Sequence, residues 1–197
     1  MIAIYGAGGF AREVHWLAKR LGIPAIMVVD SQYYELSDKY DVRKFDDIDP
    51  LLYDWVVAIS DCHQRQRIVE RLPADVKWAR LVDPAAIVGA DVTIGEGSII
   101  CAGAVLTANI KLGRHCHVNL NATIGHDTSV GDFCTFAPAV NISGNNTIED
   151  CIYFGTNSCT REKIRIQQNT LIGMGAVVVH TISIAGTYFG NPAKRRL

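Results

Sequence analysis

The sequence predicts a two-part molecule: a small Rossmann-like parallel α/β sheet over residues 1–82, then a parallel β-helix over residues 83–197. From Val88 to Val178 an aliphatic or aromatic residue returns at every sixth position, as Val88, Ile94, Ile100, Leu106 and Leu112 do in succession, with Thr160 as the polar exception. A second stripe of smaller residues follows each of these by four positions (Ala104, Ile110, Cys116, Ala122, Cys134, Val140), broken at Asn146. Neither a helix nor an alternating strand has that period, whereas a hexapeptide solenoid does. Ahead of Val88, short apolar runs alternate with amphipathic stretches, the pattern of a parallel α/β unit.

Taken in order, Ile2-Ala3-Ile4-Tyr5 reads as a buried strand and Gly6-Ala7-Gly8-Gly9 as a tight turn. Phe10, Val14, Leu17, Ala18 and Leu21 fall on one face of a helix. Ile26 to Val29 is the next strand, closed by Asp30. Trp55 to Ile59 is a later one, and Ser60-Asp61 starts an amphipathic helix running to Leu72. A glycine loop between strand and helix offers free N–H groups at the positive helix end, which suits a phosphate. Asp30 stands where a carboxylate would meet a ribose hydroxyl. Ala11 replaces the third glycine of the dinucleotide fingerprint, and the unit is half of a dinucleotide fold, so a single nucleotide is the expected ligand. The candidate contacts are Gly8, Gly9, Phe10, Asp30 and Ser60. Arg12, Glu13, Arg65, Arg67, Glu70 and Arg71 are expected on solvated helix faces.

In the rear part three hexapeptides make one coil with three flat sides, and the large residue of each side points inward. Residues one coil apart then stack, Cys116 over Cys134 and Val118 over Phe136 over Phe154. The slot after the large residue is often glycine (Gly89, Gly95, Gly113, Gly125, Gly131, Gly155, Gly173), expected at corners whose torsions disfavour a Cβ. The frequent asparagines are expected to occupy corner torsions as well.

With 197 residues, 49% of them hydrophobic, and a formal charge of −1, nothing directs the chain to nucleic acid or anionic lipid. The start, Met1 to Tyr5, has no basic n-region and runs into the glycine loop, so neither a signal peptide nor a membrane span is expected and the location is read as cytoplasmic. The six cysteines include Cys116 and Cys134 in the small inward slot, and no CxxC pair occurs, so neither disulfides nor a metal are expected. In His115-Cys116-His117 successive side chains face opposite ways, placing Cys116 inward and both histidines outward.

A solid column has no internal cavity, so a site must lie at a corner or between copies, and a three-sided section suits a threefold trimer. Ile124-Gly125-His126-Asp127 places an imidazole just past a corner with a carboxylate beside it. Histidine is the side chain whose ordinary pKa, about 6.5, lets it take a proton at neutral pH, and an adjacent carboxylate fixes its tautomer.

The segment Gly6 to Val14, the hexapeptide array, the His126-Asp127 pair and the ending Gly190-Asn191-Pro192-Ala193-Lys194 together resemble the sialic acid O-acetyltransferase and nucleotide 4-amino-sugar N-acetyltransferase family. The resemblance covers nearly the whole chain and implies a left-handed β-helix, a homotrimer, acetyl-CoA as co-substrate and a nucleotide-linked amino sugar, weakly UDP over dTDP or GDP, as acceptor. It implies His126 as general base, Asp127 as its orienting acid and Gly144 as an N–H donor to the acetyl carbonyl. Asn119 and Thr135 fall on the substrate side, and Gly155, Gly173 and Lys194 along the coenzyme, with Gly144 shared. Thr135 departs from a second histidine of bacillosamine-type members, and Asp83-Pro84 from a commoner His-Pro. O-acetylation of a sialic acid, a β-helix zinc hydratase of the carbonic anhydrase type, and a non-enzymatic nucleotide-binding scaffold remain as alternatives.

Overall fold

The structure, a computed structural model, describes residues 1–196. Five parallel strands form the front sheet: β1 (Ile2–Tyr5), β2 (Ala25–Val29), β3 (Val42–Lys44), β4 (Asp54–Val57) and β5 (Lys77–Trp78), in the order β3-β2-β1-β4-β5. Chain order reverses between β1 and β4, so the carboxyl ends of these strands open a crevice where ligands of such sheets bind. Helix α1 (Gly9–Arg20) packs Val14, Leu17 and Ala18 on Ile2, Ile4 and Val56, while α2 (Cys62–Arg71) lies against the opposite face with Ala3, Trp55 and Val57. Asp61 caps α2 by accepting from Gln64 N at 2.8 Å. Strand β3 was not foreseen, because Val42 is flanked by charged residues and carries no alternation.

From β6 (Leu81–Val82) onward the chain winds as a left-handed parallel β-helix with three sheets. β6 already pairs with Ile99–Ile100, so the change from sheet to column falls between Trp78 and Leu81. One face stacks Ile99–Ile100, His117–Val118, Thr135–Phe136 and Tyr153–Phe154; the second runs from Ile87–Val88 to Val177–Val178, and the third from Thr93–Ile94 to Arg165–Ile166. The register is eighteen residues, as Val118↔Phe136↔Phe154 shows, and the last two rings stack at 5.1 Å and 9°. Gly186–Phe189 and Lys194–Arg195 close the first face, the latter antiparallel.

Of the two expectations about the corners, the one for asparagine holds and the one for glycine is corrected. The glycines after the large residue do not sit at left-handed torsions. A Cβ on Gly113 would stand 2.3 Å from the Gly131 carbonyl oxygen and one on Gly95 2.4 Å from Gly113, so these glycines let successive coils approach. Positive φ falls two positions further on, at Asn109, Asn121, Asn145, Asn157 and Asn169, and also at His115, Asp127, Phe133, Ala139, Cys151 and Lys163, all between 50° and 60°. The two breaks in the inward stripes are a single interaction. Asn146 Nδ2 donates to Thr160 Oγ1 at 2.8 Å and to the Ser143 carbonyl at 2.9 Å, and Asn146 Oδ1 accepts from Ile164 N at 2.9 Å.

The front domain covers the outer row of the first face. Ile99 and Cys101 join the apolar cluster beneath α1. Arg20 forms a two-pronged pair with buried Asp83 at 2.8 and 2.9 Å. Arg65, expected on a solvated helix face, is instead completely buried. It donates to the carbonyls of Ile59 (2.5 Å), His115 (2.9 Å) and Phe133 (2.6 Å) and to Thr135 Oγ1 (3.0 Å). His115 and His117 do point out of the column, but under this domain and not into solvent; both are buried. His117 Nε2 lies 2.9 Å from the Val57 carbonyl.

Candidate active site

His126 leaves the column at the corner after the strand Thr123–Ile124, where Asp127 adopts φ 58° and turns its carboxylate back to the ring. Nδ1 lies 2.7 Å from Asp127 Oδ2, and Asn109, one coil earlier, donates to Asp127 Oδ1 at 2.7 Å. The hydrogen bond with His126, followed by that from Asn109, holds the Asp127 carboxyl below the usual carboxylate range. Because an ionised carboxylate only accepts, Nδ1 carries the hydrogen of this bond. Nε2 is left as the proton-accepting edge, on a side chain 63% exposed.

Gly144 stands one coil beyond His126, and a Cβ there would be 2.6 Å from Nε2, so the imidazole lies across the space that glycine leaves open. Asn145 N donates to the His126 carbonyl at 2.7 Å, tying the two corners together. The Gly144 N–H has no hydrogen-bond partner among the described residues, whereas at the equivalent slot Arg114 and Asp132 give theirs to the carboxylates of Asp132 and Asp150. Ser143, next to it, is braced from inside the column: its N–H donates to Thr160 Oγ1 at 3.3 Å and its carbonyl accepts from Asn146. Asn146 and Thr160 are thus part of this corner. Sequence reading noted both only as exceptions, and their coincidence fifteen residues or fewer apart was the available signal.

A second place gathers two of the residues expected to meet a nucleotide, Gly8 and Asp30. At the carboxyl ends of β1, β2 and β4 lies an open cavity of about 610 Å³ whose lining includes Gly6, Ala7, Gly8, Asp30, Gln64 and Arg67. Gly6, at φ 122° with the end of β4 3.3 Å from where its Cβ would be, is the glycine this loop requires; Gly8 has open space around it. Asp30 pairs with Arg71 at 2.7 Å and bonds Tyr5. Burial pushes its carboxyl up, but these two partners together bring it below the ordinary range. Gly9 is exposed at the start of α1, and Phe10 lies against His117 with ring centres 4.8 Å apart, turned to the domain seam. Ser60 is exposed, and its carbonyl accepts from Thr135 and Arg65.

Two substrate-side expectations meet a structural role instead. Thr135 is buried, its hydroxyl shared between Ser60 and Arg65, and Asn119 is buried with its amide donating to the Phe136 carbonyl at 3.0 Å. Gly155 and Gly173 occupy the corner after the first face, not the His126 corner. Their missing Cβ atoms are accounted for by Met174 N at 2.5 Å and the Phe189 ring at 2.0 Å. Lys194, exposed, pairs in register with Phe189 and so lies at that same end. His115 and His117, buried beneath the front domain, do not reach a seam between copies, where a zinc hydratase would need its histidines. No helix among the described residues is long and apolar enough to cross a membrane.

Residues 1–72 match the PglD N-terminal domain family. The acetyltransferase domain of PglB from Neisseria gonorrhoeae, solved in complex with acetyl coenzyme A, is 31% identical and superposes with a TM-score of 0.90, covering 99% of this chain and 98% of that one. The chain belongs to the hexapeptide-repeat family of nucleotide-amino-sugar acetyltransferases. PerB from Caulobacter crescentus, solved with CoA and GDP-perosamine, shares the fold at 25% identity and a TM-score of 0.89, covering 98% of this chain and 95% of that one. GDP-perosamine N-acetyltransferase of Escherichia coli O157:H7 is 33% identical over 145 residues, which are 70% of this chain and 65% of that protein. The chain therefore spans just under two thirds of that curated relative's length.

Proposed function

We propose that the chain is an acetyl-CoA-dependent N-acetyltransferase acting on the 4-amino group of a nucleotide-linked amino-deoxy sugar, with His126 as general base. The observation that carries this reading is the corner itself: an imidazole oriented by Asp127 lies against the one-atom side chain of Gly144, whose N–H is uncommitted. The sugar amine attacks the thioester carbonyl of acetyl-CoA and gives a proton to His126 Nε2. The oxyanion that forms is received by the Gly144 N–H. Collapse expels the CoA thiolate, which takes the proton back from His126, so that no covalent enzyme intermediate is needed.

The cavity at Gly8 and Asp30 suits the nucleotide diphosphate. Gly155, Gly173 and Lys194, on a different corner from His126, suit a coenzyme lying between copies, and hence a trimer in which each site draws on two protomers. Similarity to proteins named for GDP-perosamine supports a nucleotide 4-amino sugar. The preference for UDP rests on resemblance alone, and a biosynthetic role in surface or glycoprotein glycans follows from the substrate class.

The test is thiol release from acetyl-CoA with a panel of UDP-, GDP- and dTDP-linked 4-amino-6-deoxy sugars and their 4-hydroxy counterparts. Turnover of an amino sugar is expected, and His126→Ala should lower kcat by about 10²- to 10⁴-fold with little change in acetyl-CoA binding. Near-normal turnover in that variant removes the base assignment, and turnover of the hydroxy sugars alone moves the reading to O-acetylation.

A further inference from the structure

No metal was expected from the sequence, yet the fold assembles one set of ligand-type side chains among the described residues: Cys62, His63 and Cys151. Cys62 and His63 open α2 on the front domain, whereas Cys151 lies on the corner after the third face of the column. Their Sγ and imidazole nitrogen atoms all fall within 4.8 Å of one another, although 89 positions separate the two thiols in sequence. The Cys62 thiol is 3.6 Å from the Cys151 carbonyl, so the two segments are already in contact. A cavity of about 350 Å³ opens beside the set, lined also by Asp61, Tyr153 and Thr170.

Two thiolates and an imidazole are the donors that zinc prefers, at about 2.3 Å for sulfur and 2.0–2.1 Å for nitrogen in a tetrahedron. Carboxylate- and water-loving ions such as magnesium and calcium are disfavoured by the same donors. A tetrahedron of those bonds puts ligand atoms roughly 3.3–3.8 Å apart, so the three must close by about 1 Å. His63 is exposed and Cys62 half-buried at a helix start, and both have room to make that change by rotamer. The neighbouring cavity leaves room for a water as the fourth ligand.

We propose that Cys62, His63 and Cys151 form a zinc site, separate from the acetyl-transfer corner, that clips α2 to the column. Binding converts two thiols to thiolates and releases two protons, with no change of oxidation state. Because Gln64, Arg67 and Ile68 of the same helix line the cavity at the glycine loop, the ion fixes one wall of that cavity relative to the column. The site stands or falls independently of the acetyl-transfer reading.

The full chain, reduced and stripped with a chelator, is titrated with Co²⁺ and then Zn²⁺. One equivalent of Co²⁺ per chain with sulfur-to-cobalt charge-transfer absorption and tetrahedral d–d bands, displaced by one equivalent of Zn²⁺, is expected. Cys62→Ser, which leaves one thiolate, should lower the charge-transfer absorption per cobalt and weaken uptake, and His63→Ala, at an exposed position that leaves the fold intact, should weaken binding by more than about 10-fold, the lower end of what even changes beyond the ligands cost. Cys159→Ser, a thiol outside the set, should leave the titration unchanged. Absence of stoichiometric uptake, an unaltered titration in Cys62→Ser, or equal loss in Cys159→Ser overturns the proposal. So does a Cys62–Cys151 disulfide formed in air by a chain that takes up no metal when reduced.

Discussion

Asn146 and Thr160 meet inside the column at 2.8 Å, and the same threonine oxygen accepts from the N–H of Ser143, the residue before Gly144. A polar pair in an aliphatic core costs stability unless it is satisfied, and here every bond of the pair goes to backbone at the His126 corner or to the coil beyond. Thr160→Val keeps the shape and strands the Asn146 amide. We expect a loss of about 1–3 kcal/mol in unfolding free energy and a fall in kcat larger than any rise in KM, read by urea denaturation and steady-state kinetics. Unchanged kcat would reduce the pair to a packing feature.

Asp127→Asn removes the charge that orients His126. Turnover should fall by about 10²-fold or more. Because His126 and Asn109 hold the Asp127 carboxyl below its ordinary range, wild-type advantage persists at neutral pH and shrinks as pH falls through that depressed value. Profiles of kcat/KM against pH for the two proteins should diverge above it and converge in acid; parallel profiles count against an orienting role.

Stability should fall in mild acid for a reason unrelated to catalysis. A carbonyl only accepts, so His117 Nε2 carries the hydrogen that meets Val57, and among the described residues Nδ1 has no hydrogen-bond partner, nor has Nδ1 of His115. Burial, reinforced by Arg65, pushes His117 well below its usual range; burial with Arg114 and Arg65 takes His115 to about 4. The unfolded chain therefore binds protons first. Stability is full above about 6.5 and is lost as pH falls toward 4, by about 1.4 kcal/mol per pH unit for each proton taken up. Urea midpoints at pH 7 and pH 5 measure this, and His117→Gln should flatten the dependence; equal midpoints for the wild type would contradict it.

Gly113→Ala and Ala139→Gly test the corner geometry in opposite senses. A Cβ at Gly113 would meet the Gly131 backbone at 2.3 Å, so alanine should cost roughly 1–3 kcal/mol or more by overpacking. Ala139 holds φ 58°, and glycine there relieves about 1–2 kcal/mol of left-handed strain while adding about 0.5–1 kcal/mol of chain entropy, leaving stability between unchanged and about 1.5 kcal/mol above wild type. If the two changes cost the same in thermal denaturation, torsion and not coil spacing governs the glycine slot.

The column was legible because each slot of the repeat sees the same slot one coil away, so a local pattern carries a long-range fact. The stacking of Phe136 on Phe154 and the His126-Asp127 corner both follow from counting in sixes. What could not be read depends on contacts with no period. Arg65 looks like any helix-surface arginine until Phe133 and Thr135 arrive from some seventy residues away. His115, His117, Asn119 and Thr135 look outward-facing or substrate-facing until the front domain and the next coil close on them. Cys62 and Cys151 show no spacing that would join them. The glycine slot was placed correctly and explained wrongly, since a sequence shows where side chains are absent but not what fills the space.

The eighteen-residue register also fixes how such a chain can change in length. Adding or deleting one residue between Ile87 and Val178 would turn every later inward aliphatic toward water and press a polar neighbour into the axis. Growth or shortening is tolerated only in complete windings or as a loop pushed out at an edge, so the molecule's height is quantised.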